Sequence, residues 1–202
     1  METTTRNPLR RRRLHAVAGI LFGLAAGAAA ADPADAGWRI RPEFHLAGIT
    51  DYRESGGSQA SRGIAAATLE FTLHSARRPY WGGPFLDYRV SADGGFDDQR
   101  NAGVYFRYNL PRWDATTWLF VNRSPGNPHT WLYAARLRYR LAGDHKIGME
   151  AMAPLEDPGS PMLMGGYYGS ASDRLSVKLL AGAAVGGAVD FAARLDLVWH
   201  VF

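Results

Sequence analysis

Residues 189–202 read VDFAARLDLVWHVF, and the alternation in this stretch decides the fold. Side chains of an extended strand point alternately to its two faces. Val189, Phe191, Ala193, Leu195, Leu197, Trp199 and Val201 fall on one face, and Asp190, Arg194, Asp196 and His200 on the other. One such strand is ordinary. Repeated around a closed sheet, it becomes what a bilayer demands, with apolar residues toward lipid, polar residues toward a lumen and no open edge.

The same division recurs back along the chain. Trp38, Ile40, Pro42, Phe44 and Leu46 alternate with Arg39, Arg41, Glu43 and His45, predicting a first strand over 38–51. After a polar stretch at 53–63, Ala65 to Leu73 alternates with Thr68, Glu70, Thr72 and His74, and 76–83 is read as a turn. Leu86, Tyr88 and Val90 oppose Asp87 and Arg89, and then Val104, Phe106, Tyr108 and Leu110 oppose Arg107. A fifth strand over 116–122 has four consecutive apolar residues, Trp118 to Val121, so its facing is left open. The sixth is the clearest, with Trp131, Tyr133, Ala135, Leu137, Tyr139 and Leu141 against Arg136, Arg138 and Arg140. Ile147, Met149 and Ala151 against Glu150 make a seventh strand ending at Pro154, 162–169 a weaker glycine-rich eighth, and 175–183 a ninth with Lys178 inward; Gly186-Gly187 signals a hairpin into the terminal strand.

The expected fold is therefore all-β, an antiparallel up-and-down transmembrane β-barrel of about ten strands, with eight as the alternative if weak strands merge. Longer connections after strands one, three, five and seven, and shorter ones after four, six and eight, fit external loops and periplasmic turns. Trp38, Tyr80, Trp81, Trp113 and Trp199 are expected near the periplasmic rim, and Tyr52, Trp131 and Tyr133 near the outer one. A soluble sandwich or ligand-carrying barrel also alternates. Charges in the middle of nearly every strand and aromatics at strand ends favour the membrane.

Ahead of the barrel, four arginines at 10–13, an apolar run at 14–27 and the alanines at 28–31 have the order of a secretory signal peptide, expected to span 1–31 and leave a domain of 32–202. The charge balance follows. The whole chain has 23 Lys+Arg and 19 Asp+Glu; without the five arginines and one glutamate of 1–31, 18 of each remain. The basic character belongs to the leader, so nucleic acid is not implied. With no cysteine, the chain has neither a disulfide framework nor a lipidated cysteine.

Residues 50–59, TDYRESGGSQ, resemble the S-D-Y-R-x-x-G-x-S-Q stretch of the TorF-like putative porins, small proteobacterial outer-membrane barrels. Asp51, Tyr52, Arg53, Gly56, Ser58 and Gln59 match, Glu54 and Gly57 depart from the usual larger residues, and 79–82 (PYWG) has a looser likeness. The resemblance implies a barrel with an undefined transport or structural role and no catalytic residues. Phe202 resembles the terminal aromatic through which such barrels meet their assembly machinery. It lies in the polar register of its strand, so Phe202 and the strand-interrupting Pro42 are expected at bulges or at the rim.

Chemistry is expected only in the lumen, whose lining is taken as Arg39, Arg41, Glu43, Glu70, Arg89, Arg107, Arg136, Arg138, Arg140, Glu150, Arg194 and Asp196, with His45, His74, Asp87, Lys178, Asp190 and His200 on the same face. These charges either pair across a filled interior or line a pore that prefers anions. No metal is expected, because Arg39 and Arg41 lie among the histidines His45, His74 and His200. No catalytic site or cofactor is expected either, since His74 and Ser75 point to opposite faces. The expected partners are outer-membrane lipid, the barrel-assembly machinery through the last strand, and a small solute. A passive channel for small solutes, anionic by preference, leads; a non-conducting barrel acting through loops 53–63, 93–101, 124–130 and 155–161 is the alternative, and a lipid-modifying enzyme the outsider.

Overall fold

The computed structural model describes residues 37–75, 78–91, 98–125, 129–187 and 189–201. The proposed signal segment and Phe202 lie outside these. Ten strands follow one another: β1 (Trp38–Ser55), β2 (Ser58–Ser75), β3 (Tyr80–Ser91), β4 (Gln99–Asn109), β5 (Trp113–Arg123), β6 (Thr130–Ala142), β7 (His145–Pro154), β8 (Met162–Ser172), β9 (Leu175–Ala184) and β10 (Phe191–His200). Each pairs with its sequence neighbours, and β10 closes on β1, giving a closed ten-stranded barrel. The eight-stranded alternative is set aside. The seam is antiparallel and runs from His45↔His200 to Glu54↔Phe191.

The surface is inverted relative to a water-soluble protein. Leu86, Val104, Leu137, Met149, Leu179 and Leu197 are between 45% and 62% exposed, while Asp51, Asp87, Asp114 and Asp196 are buried. The shortest strands have 10 residues. At about 3.3 Å per residue and the tilt usual for barrels, that spans roughly the ~25 Å apolar band of an outer-membrane barrel.

One rim, the terminal rim, holds the start of β1, the end of β10 and connections of two to four residues; the other, the hairpin rim, holds connections of two to seven. Two aromatic groups mark the ends. Trp113 lies 4.8 Å from Tyr139 at the terminal rim and Tyr52 6.2 Å from Phe191 at the hairpin rim. Trp81 departs from its expected place in the girdle. It faces inward, against the cluster of Phe85, Tyr105 and Phe120.

Several boundaries move. Residues 53–63 are not a loop: β1 and β2 have 18 residues each and meet at Gly56-Gly57, with φ of 55° and 79°. Positive φ at both central positions is the type I′ hairpin turn, which glycine adopts without strain. β2 begins pairing with β3 only at Ile64↔Ser91, so its first residues project past β3. β3 starts at Tyr80, inside the expected turn, and β4 at Gln99, inside the expected loop. Gly186-Gly187 is no tight hairpin, since β9 ends at Ala184 and β10 begins at Phe191. Asp190 accordingly leaves the lumen face; its Oδ2 accepts from Gly56 N at 2.8 Å and holds the first hairpin. Pro42 lies at the terminal rim, before the seam pairing begins at His45.

Candidate functional site

The alternation that puts leucines outside brings charges from every strand except the uncharged β8 into one lumen, where residues two apart on a strand share a face. Three strands use that spacing for ion pairs: Arg53 Nε–Asp51 Oδ2 at 2.8 Å, Arg89 Nε–Asp87 Oδ2 at 2.7 Å and Arg194 Nε–Asp196 Oδ1 at 2.6 Å. Cross-strand register adds the rest. Asp114 of β5 lies opposite Arg138 of β6 and accepts from Arg138 Nε at 2.6 Å and Lys146 Nζ at 2.7 Å. Lys178 of β9 reaches Asp196 at 2.8 Å and Glu150 at 3.3 Å. A polar ladder crosses four strands, with Thr68 and Asn101 both donating to Asp87 and Asn122 donating to Asn101.

Two guanidinium groups are less well compensated. Arg107 of β4 donates to Thr116 Oγ1 at 3.4 Å and lies 5.6 Å over Trp81; among the described residues it has no carboxylate at ion-pair distance. Arg136 of β6 reaches the same Thr116 Oγ1 at 3.4 Å. Its nearest carboxylate oxygen, on Glu150, is 3.8 Å away. Its Nε is buried without a hydrogen-bond partner. The Arg136 guanidinium lies 4.9 Å from the Trp118 ring and 5.8 Å from the Tyr168 ring. Aromatic faces stabilise the cations and fix their planes without neutralising them.

These groups surround a cavity of about 390 Å³ lined by seven Lys or Arg side chains against five carboxylates. Apolar side chains fill other parts of the lumen. Phe85, Tyr105 and Phe120 form one apolar cluster, with Leu132 and Ala134 against it, and Met164, Tyr168, Leu180 and Ala192 form another.

Of the twelve proposed lining residues, Glu43, Glu70, Arg89, Arg107, Arg136, Arg138, Arg194 and Asp196 border the cavity. Glu150 lies behind it, bonded to Lys178. Arg39, Arg41 and Arg140 are exposed; they share the lumen face but stand at the terminal rim, because β1 and β6 run on past the enclosed part of the barrel. His74 is not with the other histidines; its ring packs 5.4 Å from Trp81.

Asp114, Lys146, Thr116, Trp118, Tyr105 and Tyr168 were missing from the sequence set. Asp114 and Lys146 sit next to turns, and Trp118 lies in the strand of undecided facing. Tyr105 stands two residues from Arg107 in the inner register of its strand, and pairing Asp114 with Arg138 across a hairpin was the signal for Asp114. Ser176 Oγ lies 2.8 Å from His200 Nε2, and His200 Nδ1 lies 2.9 Å from His45 Nδ1, a chain that only barrel closure brings together.

No protein-family model matches the chain, and no curated protein matches it by sequence. Solved structures do. The KdgM porin is similar at a TM-score of 0.52 and 8% identity, over 77% of this chain and 98% of that one. The KdgM porin in complex with disordered oligogalacturonate gives 0.49 and 8%, over 78% and 98%. A triple mutant of the Rhodopseudomonas blastica porin gives 0.35 and 7%, over 80% and 100%. At 8% identity the first likeness shows the fold. The chain has the closed antiparallel barrel of porin type.

Proposed function

We propose that the chain is a porin-like barrel of the bacterial outer membrane, forming a narrow passive channel that favours small anionic solutes. The apolar outer surface supports the membrane location, and the porin-type fold points to the outer membrane, reached through the leader at 1–31. The resemblance of residues 50–59 to the TorF-like putative porins supports a place among those small barrels. The carrying observation is the pair Arg107 and Arg136, two guanidinium groups converging on Thr116 with too little carboxylate between them. In a low-dielectric lumen such an excess attracts anions and repels cations.

Planar-bilayer recording with the folded protein tests this. Folding is checked by heat-modifiable gel mobility. Current steps with an anion-favouring reversal potential across a salt gradient are expected, and Arg107→Gln with Arg136→Gln should move that potential toward cations. A folded sample without current steps would sink the channel. The second reading, a closed barrel acting through its hairpin rim, is favoured by the apolar clusters filling part of the lumen.

A further inference from the structure

We propose that Glu43, His45 and Glu70 form a binding site for a divalent transition-metal ion, zinc in type, near the terminal rim of the lumen. The reading goes beyond the channel and holds for a conducting or a closed barrel alike. Glu43 and His45 are two apart on β1 and therefore share its inner face; Glu70 comes from the inner face of β2, adjacent in the closed sheet. One ligand atom from each lies within 4.8 Å of the others. His45 Nε2 is 3.8 Å from Glu43 Oε2 and 4.0 Å from Glu70 Oε2. Those separations are too long for hydrogen bonds. They lie close to the roughly 3.4 Å between ligand atoms that tetrahedral zinc with bonds of about 2.0–2.1 Å requires, so a small side-chain rotation closes the set.

The surroundings point the same way. His45 Nδ1 is held by His200 Nδ1 at 2.9 Å, and His200 Nε2 by Ser176 Oγ at 2.8 Å. With the proton on His45 Nδ1, the Nε2 lone pair is aimed between the two carboxylates, and a hydrogen bond on the far ring nitrogen is how metal-binding histidines are oriented. Two carboxylates beside one imidazole can compensate a bound cation, while Arg107 acts on His45 and Glu70 from beyond ion-pair distance. Among the described residues Glu70 has no Lys or Arg within ion-pair distance. Glu43 has Arg41 at 3.9 Å, but that side chain is 72% exposed, so solvent screens the pair. Glu43, His45 and Glu70 all border the cavity, which leaves space for water or a solute as a further ligand. Arg39 and Arg41, which argued against a metal in the sequence, are exposed.

The test is zinc titration of the untagged protein folded in detergent, followed by calorimetry, with cobalt(II) absorption reporting the ligand field. One equivalent per chain is expected. Glu70→Gln and His45→Gln should weaken it at least about tenfold, His200→Gln by about 10- to 100-fold through lost orientation, and His74→Gln not at all. Only variants that keep the folded gel mobility are scored, and Glu43→Gln, at a more open position, serves if Glu70→Gln does not fold. No binding to the folded wild type, or equal binding by wild type and the Glu43, His45 and Glu70 variants, overturns the proposal.

Discussion

Asp114 shows how the interior charges work. Its side chain is 5% exposed and is gripped by Arg138 and Lys146. Removing a carboxylate from between two enclosed cations leaves both uncompensated, which typically costs 3–5 kcal/mol. Asp114→Asn is expected to lose about 3 kcal/mol in urea unfolding of the folded barrel, read by tryptophan fluorescence. Arg53 bonds Asp51 at a similar distance but is 43% exposed; Arg53→Gln should cost less than about 1 kcal/mol, since exposed pairs are screened. At this scale the sequence was half legible. The arginine run at 136–140 announces itself by period two, whereas Asp114, one residue past a proline-marked turn, looks like a turn residue until its cross-strand partner is known.

Among the elements, β5 shows where local pattern fails. Trp118, Leu119, Phe120 and Val121 are apolar on both faces because this strand meets lipid outside and an aromatic cluster inside. Register settles the facing: Trp118 pairs with Tyr105 and Ala134, both inward, so Leu119 and Val121 face out. Leu119→Arg should then cost about 2–4 kcal/mol when folding into lipid vesicles, as a charge on the lipid face near mid-membrane does. The opposite failure occurs at 53–63. Beyond the bilayer a hairpin needs no apolar face, so the pattern that marks the other strands vanishes there. Only the glycine pair at its tip remained as a signal. Gly57→Val forces a side chain into a left-handed φ at about 1–2 kcal/mol; it should speed protease cleavage near the hairpin tip and leave the heat-modifiable mobility of the barrel unchanged.

At the scale of the molecule, ten strands set a lumen narrow enough for side chains to fill it, and which side chains do so decides between the two functional readings. The strand count and, on every strand but β5, the inside–outside division could be read from alternation, because lipid imposes an apolar outer face. The filling could not. It depends on which inward residues from distant strands meet, and Phe85 from β3 meets Phe120 from β5 across the glycine at position 103 of β4, where a Cβ would collide with Phe120 and with the carbonyl of Leu119. Their ring centroids are 6.0 Å apart. Replacing both by alanine removes the rings while leaving Arg107, Arg136 and Thr116 in place. The stability cost should stay at or below the roughly 3–5 kcal/mol of each buried Phe→Ala change, because water can enter the vacated space. If the wild type is a narrow channel, Phe85→Ala with Phe120→Ala should raise single-channel conductance and keep the anion preference, since the cationic wall is untouched. If the wild type is a closed barrel, the same variant should show current steps where the parent shows none. A folded variant with conductance equal to that of a conducting parent would mean that the ring cluster lies off the solute path, and the constriction would then have to be sought at the Met164–Leu180 side.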